Sequence, residues 1–257
     1  MKTYKGYLID LDGTMYRGTE KIEAASDFVK ALVKAEVPYL FLTNNSSTTP
    51  EKVADKLNQM DIPADANQVV TSSMATAAYI QQQKPNASVY VIGEDGLKVA
   101  IEQEGLLVSE SEAEYVVVGI DREINYEKLA KGCLFVRDGA TFLSTNGDVA
   151  IPTERGLLPG NGSLTSVISV STGVQPVFVG KPESIIMDYA IQKLGLKHEE
   201  TIMVGDNYHT DILAGIRSGM DTLMVFTGVS TEEELLNEEI KPTYQIHSLL
   251  EWIPNIM

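Results

Sequence analysis

The stretch Tyr7-Leu8-Ile9-Asp10-Leu11-Asp12-Gly13-Thr14 constrains the fold of this chain more than any other. An apolar run stops at a carboxylate, a spacer and a second carboxylate, and a turn signal follows. That pattern is a buried central strand ending at its carboxyl end. In an open parallel sheet, this edge is where ligands bind. Asp10 and Asp12 would meet at the mouth of a crevice with no basic residue between them. Two carboxylates so close repel unless a proton or a cation separates them. A hard, oxygen-seeking ion such as Mg²⁺ meets that need. The structural alternative is a turn and a helix cap shaped by the same aspartates.

The flanking sequence alternates strand and helix. Ile22, Ala25, Phe28, Val29, Leu32 and Val33 recur at helical spacing, and Tyr39-Leu40-Phe41-Leu42 is a second buried strand that stops at Thr43-Asn44-Asn45-Ser46-Ser47. Pro50 opens a helix behind Thr49 as N-cap. A short strand at Gln68-Val69-Val70 and a helix from about 73 to 83 follow. Pro85-Asn86 then marks a boundary. Beyond it come strands at 88–92, 115–120 and 142–144 and helices at 97–104, 126–131 and 163–171. Pro176-Val177-Phe178-Val179 resumes the first pattern, followed by a strand at 201–204, a helix from Asp211 to Gly219 and a strand at 222–226. The fold expected is α/β: a Rossmann-like, doubly wound parallel-sheet core (1–84 and 176–257) with a smaller inserted α/β domain (85–175).

Composition narrows the partners. Lys and Arg number 20 against 36 Asp and Glu, a formal charge of −16, so nucleic acid and anionic membrane surfaces are not expected partners. The single cysteine, Cys133, excludes an internal disulfide, fits a reducing compartment and sits in an apolar core segment. The amino terminus lacks the layout of a signal peptide and no apolar run is long enough to span a bilayer, so a cytoplasmic protein is expected. An exposed apolar face on the inserted domain would suit a homodimer as well as a monomer.

Four strands end in chemically distinct polar residues: Asp10 and Asp12; Thr43 and Asn44; Lys181; and Asp206 with Asp211. Parallel strands share a direction, so these ends share one sheet edge. Carboxylates, a hydroxyl, an amide and one ammonium around one crevice suit phosphoryl transfer, which needs a nucleophile, charge neutralisation and placement. Asp10 is the candidate nucleophile. Asp10, the Asp12 carbonyl and Asp206 are the candidate metal ligands, and Asp12 is the candidate general acid and base. Thr43, Asn44 and Lys181 are candidates for the phosphoryl oxygens. Asp211 is either an outer partner of the site or a helix cap. His198, His209 and His247 have no metal-ligand spacing, and His209 is more simply a surface residue in the Asp206 loop.

Asp10-Leu11-Asp12-Gly13-Thr14, Thr43-Asn44-Asn45, Gly180-Lys181-Pro182 and Gly205-Asp206-Asn207, with Thr210-Asp211-Ile212 after it, resemble in order the four motifs of the haloacid dehalogenase superfamily. The insert between the second and third motifs resembles the NagD-type branch of sugar phosphatases with an α/β cap. The resemblance implies a Mg²⁺-dependent phosphatase of small phosphomonoesters: sugar or acid-sugar phosphates, phosphoglycolate-like compounds, and p-nitrophenyl phosphate in vitro. By the same resemblance Asp10 is the nucleophile, Asp12 the acid and base, Thr43 the motif-two hydroxyl, Lys181 the motif-three lysine and Asp206 the metal-binding acid. Asn45 and Asn146 join the expected substrate-binding residues. Asn146 lies in Thr145-Asn146-Gly147-Asp148, where relatives often have Pro in place of Gly147. Arg155 could reach a substrate carboxylate or pair with the protein's own acidic surface. The rival expectation is a non-catalytic sensor that binds a phosphorylated metabolite without turning it over.

Overall fold

The structure, a computed structural model, describes residues 2–153 and 155–256. Along the chain, β1 (Gly6–Ile9) is followed by a short hairpin, β2 (Tyr16–Arg17) and β3 (Glu20–Lys21), then α1 (Ala25–Lys34) and β4 (Tyr39–Thr43). Next come α2 (Pro50–Gln59), β5 (Val69–Thr71), α3 (Ser72–Gln83), β6 (Ser88–Ile92) and α4 (Asp95–Gln103). The middle of the chain forms β7 (Leu107–Val108), β8 (Tyr115–Val118), α5 (Tyr126–Arg137) and β9 (Thr141–Ser144). A second hairpin, β10 (Ala150–Thr153) and β11 (Gly156–Pro159), precedes α6 (Asn161–Thr172) and β12 (Val177–Phe178). The last third is α7 (Ser184–Leu194), β13 (Thr201–Gly205), α8 (Leu213–Arg217), β14 (Asp221–Val225), α9 (Glu232–Leu236) and β15 (Tyr244–Ile246). None of the described helices is long and apolar enough to cross a membrane.

Two compact units emerge. The first comprises Met1–Thr43, Pro50–Val70 and Lys181–Met257. Its sheet has the order β15-β14-β13-β1-β4-β5, with β1 parallel to both β13 and β4. Counting only this unit's strands, the order reverses between β1 and β13, which is the doubly wound arrangement with its switch point there. The sheet is covered on both faces, so its strands read as continuous apolar runs: every residue of β1, β4 and β13 is buried. α1 lays Phe28, Val29 and Leu32 on the sheet, and α2 adds Val53, Ala54 and Leu57. Trp252 closes the same core, its indole N–H donating to the Tyr7 hydroxyl at 3.1 Å. Truncating Phe28 to Ala would cost about 3–5 kcal/mol, the usual range for a fully buried aromatic.

The second unit comprises Asn44–Thr49 and Thr71–Gly180. Its five-stranded sheet has the order β12-β9-β8-β6-β7, and its strand pairs are parallel. Alternation along β6 and β8 separates two cores. Val89, Val91 and Val117 face Ile80, Leu97 and Ile101 of α3 and α4, whereas Tyr90, Ile92, Val116 and Val118 face Cys133 of α5 and Ile168 of α6. Cys133 is buried in that core, as its apolar neighbours suggested.

The boundaries differ from those read off the sequence at 85 and 175. α3, expected in the first domain, packs its small residue Ala77 and Ile80 into the second unit's core. β12, expected to resume the first sheet, pairs instead with β9, Val177 opposite Leu143 and Phe178 opposite Ser144. The polar run after β4 belongs to the second unit as well. The Ser46 hydroxyl accepts from the Ile120 N–H at 3.0 Å, the Ser73 hydroxyl donates to the Ser46 carbonyl, and the Ser47 carbonyl accepts from the Gly96 N–H. A Cβ at Gly96 would lie 2.6 Å from the Thr48 backbone, so glycine is required for this close approach.

Candidate active site

The site is built at the switch point of the first unit. Asp10 follows β1 and continues its ladder, its N–H donating to the Val204 carbonyl at 2.9 Å. Asp206 follows β13, and Asp211 lies one turn further on. Asp10, Asp206 and Asp211 are all buried, and one carboxylate oxygen from each lies within 4.8 Å of the other two. The Lys181 ammonium, only 2% exposed, sits among them. It donates to Asp10 Oδ1 at 2.6 Å, to Asp211 Oδ1 at 2.7 Å and to the Leu42 carbonyl at 3.1 Å. Those three bonds use all the donors of an ammonium.

The remaining carboxylate oxygens are held by short loops. The Val229 N–H donates to Asp206 Oδ2 at 2.6 Å, and the Asn207 N–H donates to Asp211 Oδ2 at 3.1 Å. The Thr14 hydroxyl lies 3.2 Å from both Asp10 Oδ2 and Asp206 Oδ1, and its single proton can serve either. Glycines make room for these acids. A Cβ on Gly228 would fall 1.9 Å from Asp206 Oδ2, and one on Gly205 would fall 2.2 Å from the Asp211 Cβ. Gly13 has φ +91°, and a Cβ there would meet Asp206 Oδ2 at 2.3 Å, so two separate constraints demand glycine.

Electrostatically the cluster is overloaded with negative charge. Burial, then the charges of Asp10 and Asp211, push Asp206 up to about 8; the Val229 N–H and Thr14 hydroxyl offset only part of this. Burial and Asp10 also raise Asp211, although Lys181 pulls the other way. Burial opposes the charge on Lys181, but Asp10 and Asp211 outweigh it and the ammonium is held above its ordinary range. An all-oxygen set of clustered carboxylates that resists full ionisation is what a hard divalent cation binds, so these residues fit Mg²⁺.

Asp12 lies only two residues beyond Asp10 in a different environment. It is exposed at the rim, its backbone bridged to Tyr16, and its carboxylate accepts a hydrogen bond from the Gly18 N–H. Surrounding protein raises its pKa by desolvation, while Lys56, Gly18 and Lys181 draw it back down. Its side chain stands outside the cluster of three. Thr43 ends β4 and is buried.

Asn44, Asn45 and Asn146 lie in the second unit. The Asn146 amide donates to the Asn44 carbonyl at 2.8 Å, and the Asn44 amide donates to the Asp148 carboxylate at 3.2 Å. Asn45 Oδ1 accepts from both the N–H and the hydroxyl of Ser47 at 2.8 Å, which shapes the loop. Asp211 does not cap a helix. Asn207 does, opening the helical turn Tyr208–Ile212 that leads into α8 and accepting from the His209 N–H at 3.0 Å, and Asp211 instead orients Lys181. Arg155 is exposed in the turn between β10 and β11, and His209 is exposed with its ring 3.6 Å from Glu238.

Sequence reasoning missed Thr14 as a donor, Val229 and Gly228 around Asp206, and Asn161. The Asn161 amide donates to the Ser144 hydroxyl at 2.9 Å and to the Asn146 carbonyl at 2.8 Å, bracing the 144–146 turn. Only Thr14 carried a signal, its place directly after the Asp10-x-Asp12-Gly13 turn.

This chain is 67% identical over 256 residues to a 5'-nucleotidase, YutF, of Bacillus subtilis, covering 100% of both chains. It is 55% identical over 257 residues to an acid sugar phosphatase of Staphylococcus aureus, covering 100% of this chain and 99% of that one. Residues 7–107 match the haloacid dehalogenase-like hydrolase model, and residues 178–252 match a second, HAD-hydrolase-like model. The chain belongs to the haloacid dehalogenase-like hydrolases. Among solved structures, a p-nitrophenyl phosphatase from Archaeoglobus fulgidus superposes with a TM-score of 0.93 at 34% identity, over 98% of this chain and 99% of that one. A 4-nitrophenylphosphatase from Thermotoga maritima gives 0.94 at 30%, over 99% and 98%. The chain of this haloacid dehalogenase-like hydrolase is therefore an enzyme with the family's α/β fold in full.

Proposed function

We propose that this hydrolase is a Mg²⁺-dependent phosphatase of small phosphomonoesters that works through an aspartyl-phosphate on Asp10. The observation that carries the reading is the buried Lys181 bonded to Asp10 and Asp211 beside Asp206. That arrangement supports a carboxylate nucleophile on Asp10 and an anionic pocket suited to a cation. Asp10, Asp206 and the Asp12 carbonyl would hold the metal, while Asp211 is engaged by Lys181. A bound divalent cation would offset the negative charge of the phosphoryl oxygens.

In the first half-reaction an Asp10 oxygen attacks phosphorus, the bond to the leaving oxygen breaks, and Asp12 gives that oxygen its proton. In the second, the Asp12 carboxylate takes a proton from water as the water oxygen attacks phosphorus. The bond to Asp10 breaks and inorganic phosphate departs. The Thr43 hydroxyl binds the phosphoryl group, and the positive charge of Lys181 helps to orient it. The raised pKa of Asp12 favours the protonated form that the first half-reaction needs.

A share of substrate selection is assigned to the second unit, where Asn44, Asn146 and Asp148 form one network. The relatives named acid sugar phosphatase, 5'-nucleotidase and p-nitrophenyl phosphatase support small phosphomonoesters as the class. The test is phosphate release from a panel of such esters, with Mg²⁺ and with chelator, using Asp10→Asn as control. Metal-dependent release that disappears in the variant supports the reading. Binding of a phosphorylated compound with no release from any ester would favour a sensor instead.

A further inference from the structure

One cation beside the site is given no contact with substrate in the reaction above. Lys56, on α2, is half-buried, and its Nζ lies 3.6 Å from the centroid of the Tyr16 ring. Tyr16 is only 6% exposed, and its backbone is bridged to that of Asp12. The ammonium therefore stands on an aromatic platform fixed to the residue that serves the leaving group. It is within electrostatic reach of the Asp12 carboxylate. Among the described residues it makes no salt bridge, whereas Lys181 is bonded to two carboxylates.

The contrast between the two lysines matters. Lys181 has used its donors inside the cluster, on Asp10, Asp211 and the Leu42 carbonyl. Lys56 touches one ring face, so its N–H groups stay available for a ligand. If Asp12 protonates the leaving oxygen, the atoms bonded to that oxygen pass beside Asp12 and therefore near Lys56. A chain of charge −16 otherwise repels an anionic substituent placed there.

We propose that Lys56 is a specificity-determining residue that favours phosphomonoesters whose leaving group bears its own carboxylate. The proposal rests on the phosphatase reading above and names the substrate feature that one residue of the same site selects. A lysine that merely packs on Tyr16 would support all substrates equally.

The test compares kcat/KM for 2-phosphoglycolate with that for glycerol phosphate, which lacks the carboxylate, in the wild type, Lys56→Met and Lys56→Arg. Met keeps the stem that packs on Tyr16 and removes the charge; Arg keeps both the charge and the stacking. The expected result is that the ratio of the two kcat/KM values falls about tenfold in Lys56→Met, chiefly through KM for the carboxylated ester, and stays within about threefold of wild type in Lys56→Arg. An unchanged ratio in Lys56→Met, whether or not both activities drop, overturns the proposal. So does a wild type that hydrolyses glycerol phosphate and not 2-phosphoglycolate. If Lys56→Met does not fold, Lys56→Gln and the salt dependence of the wild-type ratio replace it; a ratio insensitive to both overturns the proposal. Failure of the wild type on both esters and on p-nitrophenyl phosphate would instead sink the phosphatase reading, which keeps the two failures apart.

Discussion

Replacing Lys181 by Met keeps the volume of the side chain and deletes the one ammonium inside a cluster of three buried carboxylates. Asp211 is 1% exposed and Asp10 is 7% exposed, so neither can turn to water for the lost bonds. Removing one partner of a buried ion pair typically costs about 3–5 kcal/mol, because a charge is left without compensation. For a domain of this size that is a fall in Tm of roughly 6–20 °C. The deficit should depend on pH, and its sign follows from linkage. Without Lys181, which now pulls it back, Asp211 is pushed further above its unfolded value. The folded variant then holds protons that the unfolded chain has lost, so its stability falls as pH rises. In chelator, calorimetry should show a large gap between wild type and Lys181→Met at pH 8 and a smaller one at pH 5. The double variant Lys181→Met, Asp211→Asn should recover part of the loss, since it removes one of the stranded charges. A variant melting within about 2 °C of wild type at pH 8, or a gap that does not shrink toward pH 5, would refute the account of Lys181 as the neutralising centre.

Gly228→Ala should cripple the site while leaving both sheets intact, because the new Cβ would fall 1.9 Å from Asp206 Oδ2. Such overpacking costs about 1–3 kcal/mol, and the check is Mg²⁺ affinity by calorimetry, expected to weaken at least tenfold with unchanged far-ultraviolet circular dichroism. In metal-free wild type, Asp206 is pushed up to about 8, above its unfolded value, so the folded state binds the extra proton and stability should decline between about pH 4 and pH 8. Adding Mg²⁺ should flatten that slope in a thermal-shift series; identical slopes with and without the ion would count against the metal site. Asp12→Asn should slow glycerol phosphate by at least about a hundredfold, the usual scale of general-acid loss. Formation of the aspartyl-phosphate from p-nitrophenyl phosphate, whose leaving group needs no proton, should suffer less in a rapid-quench burst; equal losses would remove Asp12 as the acid.

The strand ends were legible because burial on both faces makes a parallel strand a plain apolar run, and such a run stops abruptly where chemistry begins. Ile9 before Asp10 and Val204-Gly205 before Asp206 are of this kind. The same property hid which sheet a strand joins. Val177-Phe178 is apolar enough for either sheet, and only its register against Leu143 and Ser144 assigns it to the second unit. α3 was misplaced for a related reason: its buried residues are mostly Ala, Ser and Thr, which mark no single apolar stripe. Within the site, residue identity announced Lys181 and the aspartates, but not who holds whom. Asp211 could be read as a cap because helix starts favour aspartate. Its bond to a lysine 30 residues earlier depends on tertiary folding, as do the Val229 N–H and the space left by Gly228.

The acidity of the chain and its handling of an anionic ester are reconciled by dividing labour between carboxylates that are close in sequence and unlike in setting. Asp10 and Asp12 are separated by one residue, yet Asp10 is buried in the cluster and Asp12 is exposed. Inside, Lys181 is shared between Asp10 and Asp211 and so does not by itself reverse the potential. The surplus negative charge suits a bound cation, which would offset the charge of a phosphoryl dianion. At the rim, desolvation raises the Asp12 pKa while the Lys56 charge and the Gly18 N–H draw it back, a setting that suits the proton transfers proposed for it. Two carboxylates of one motif thus stand in unlike surroundings, so exchanging Asp for Asn at either position should produce different kinetic defects rather than two degrees of the same one.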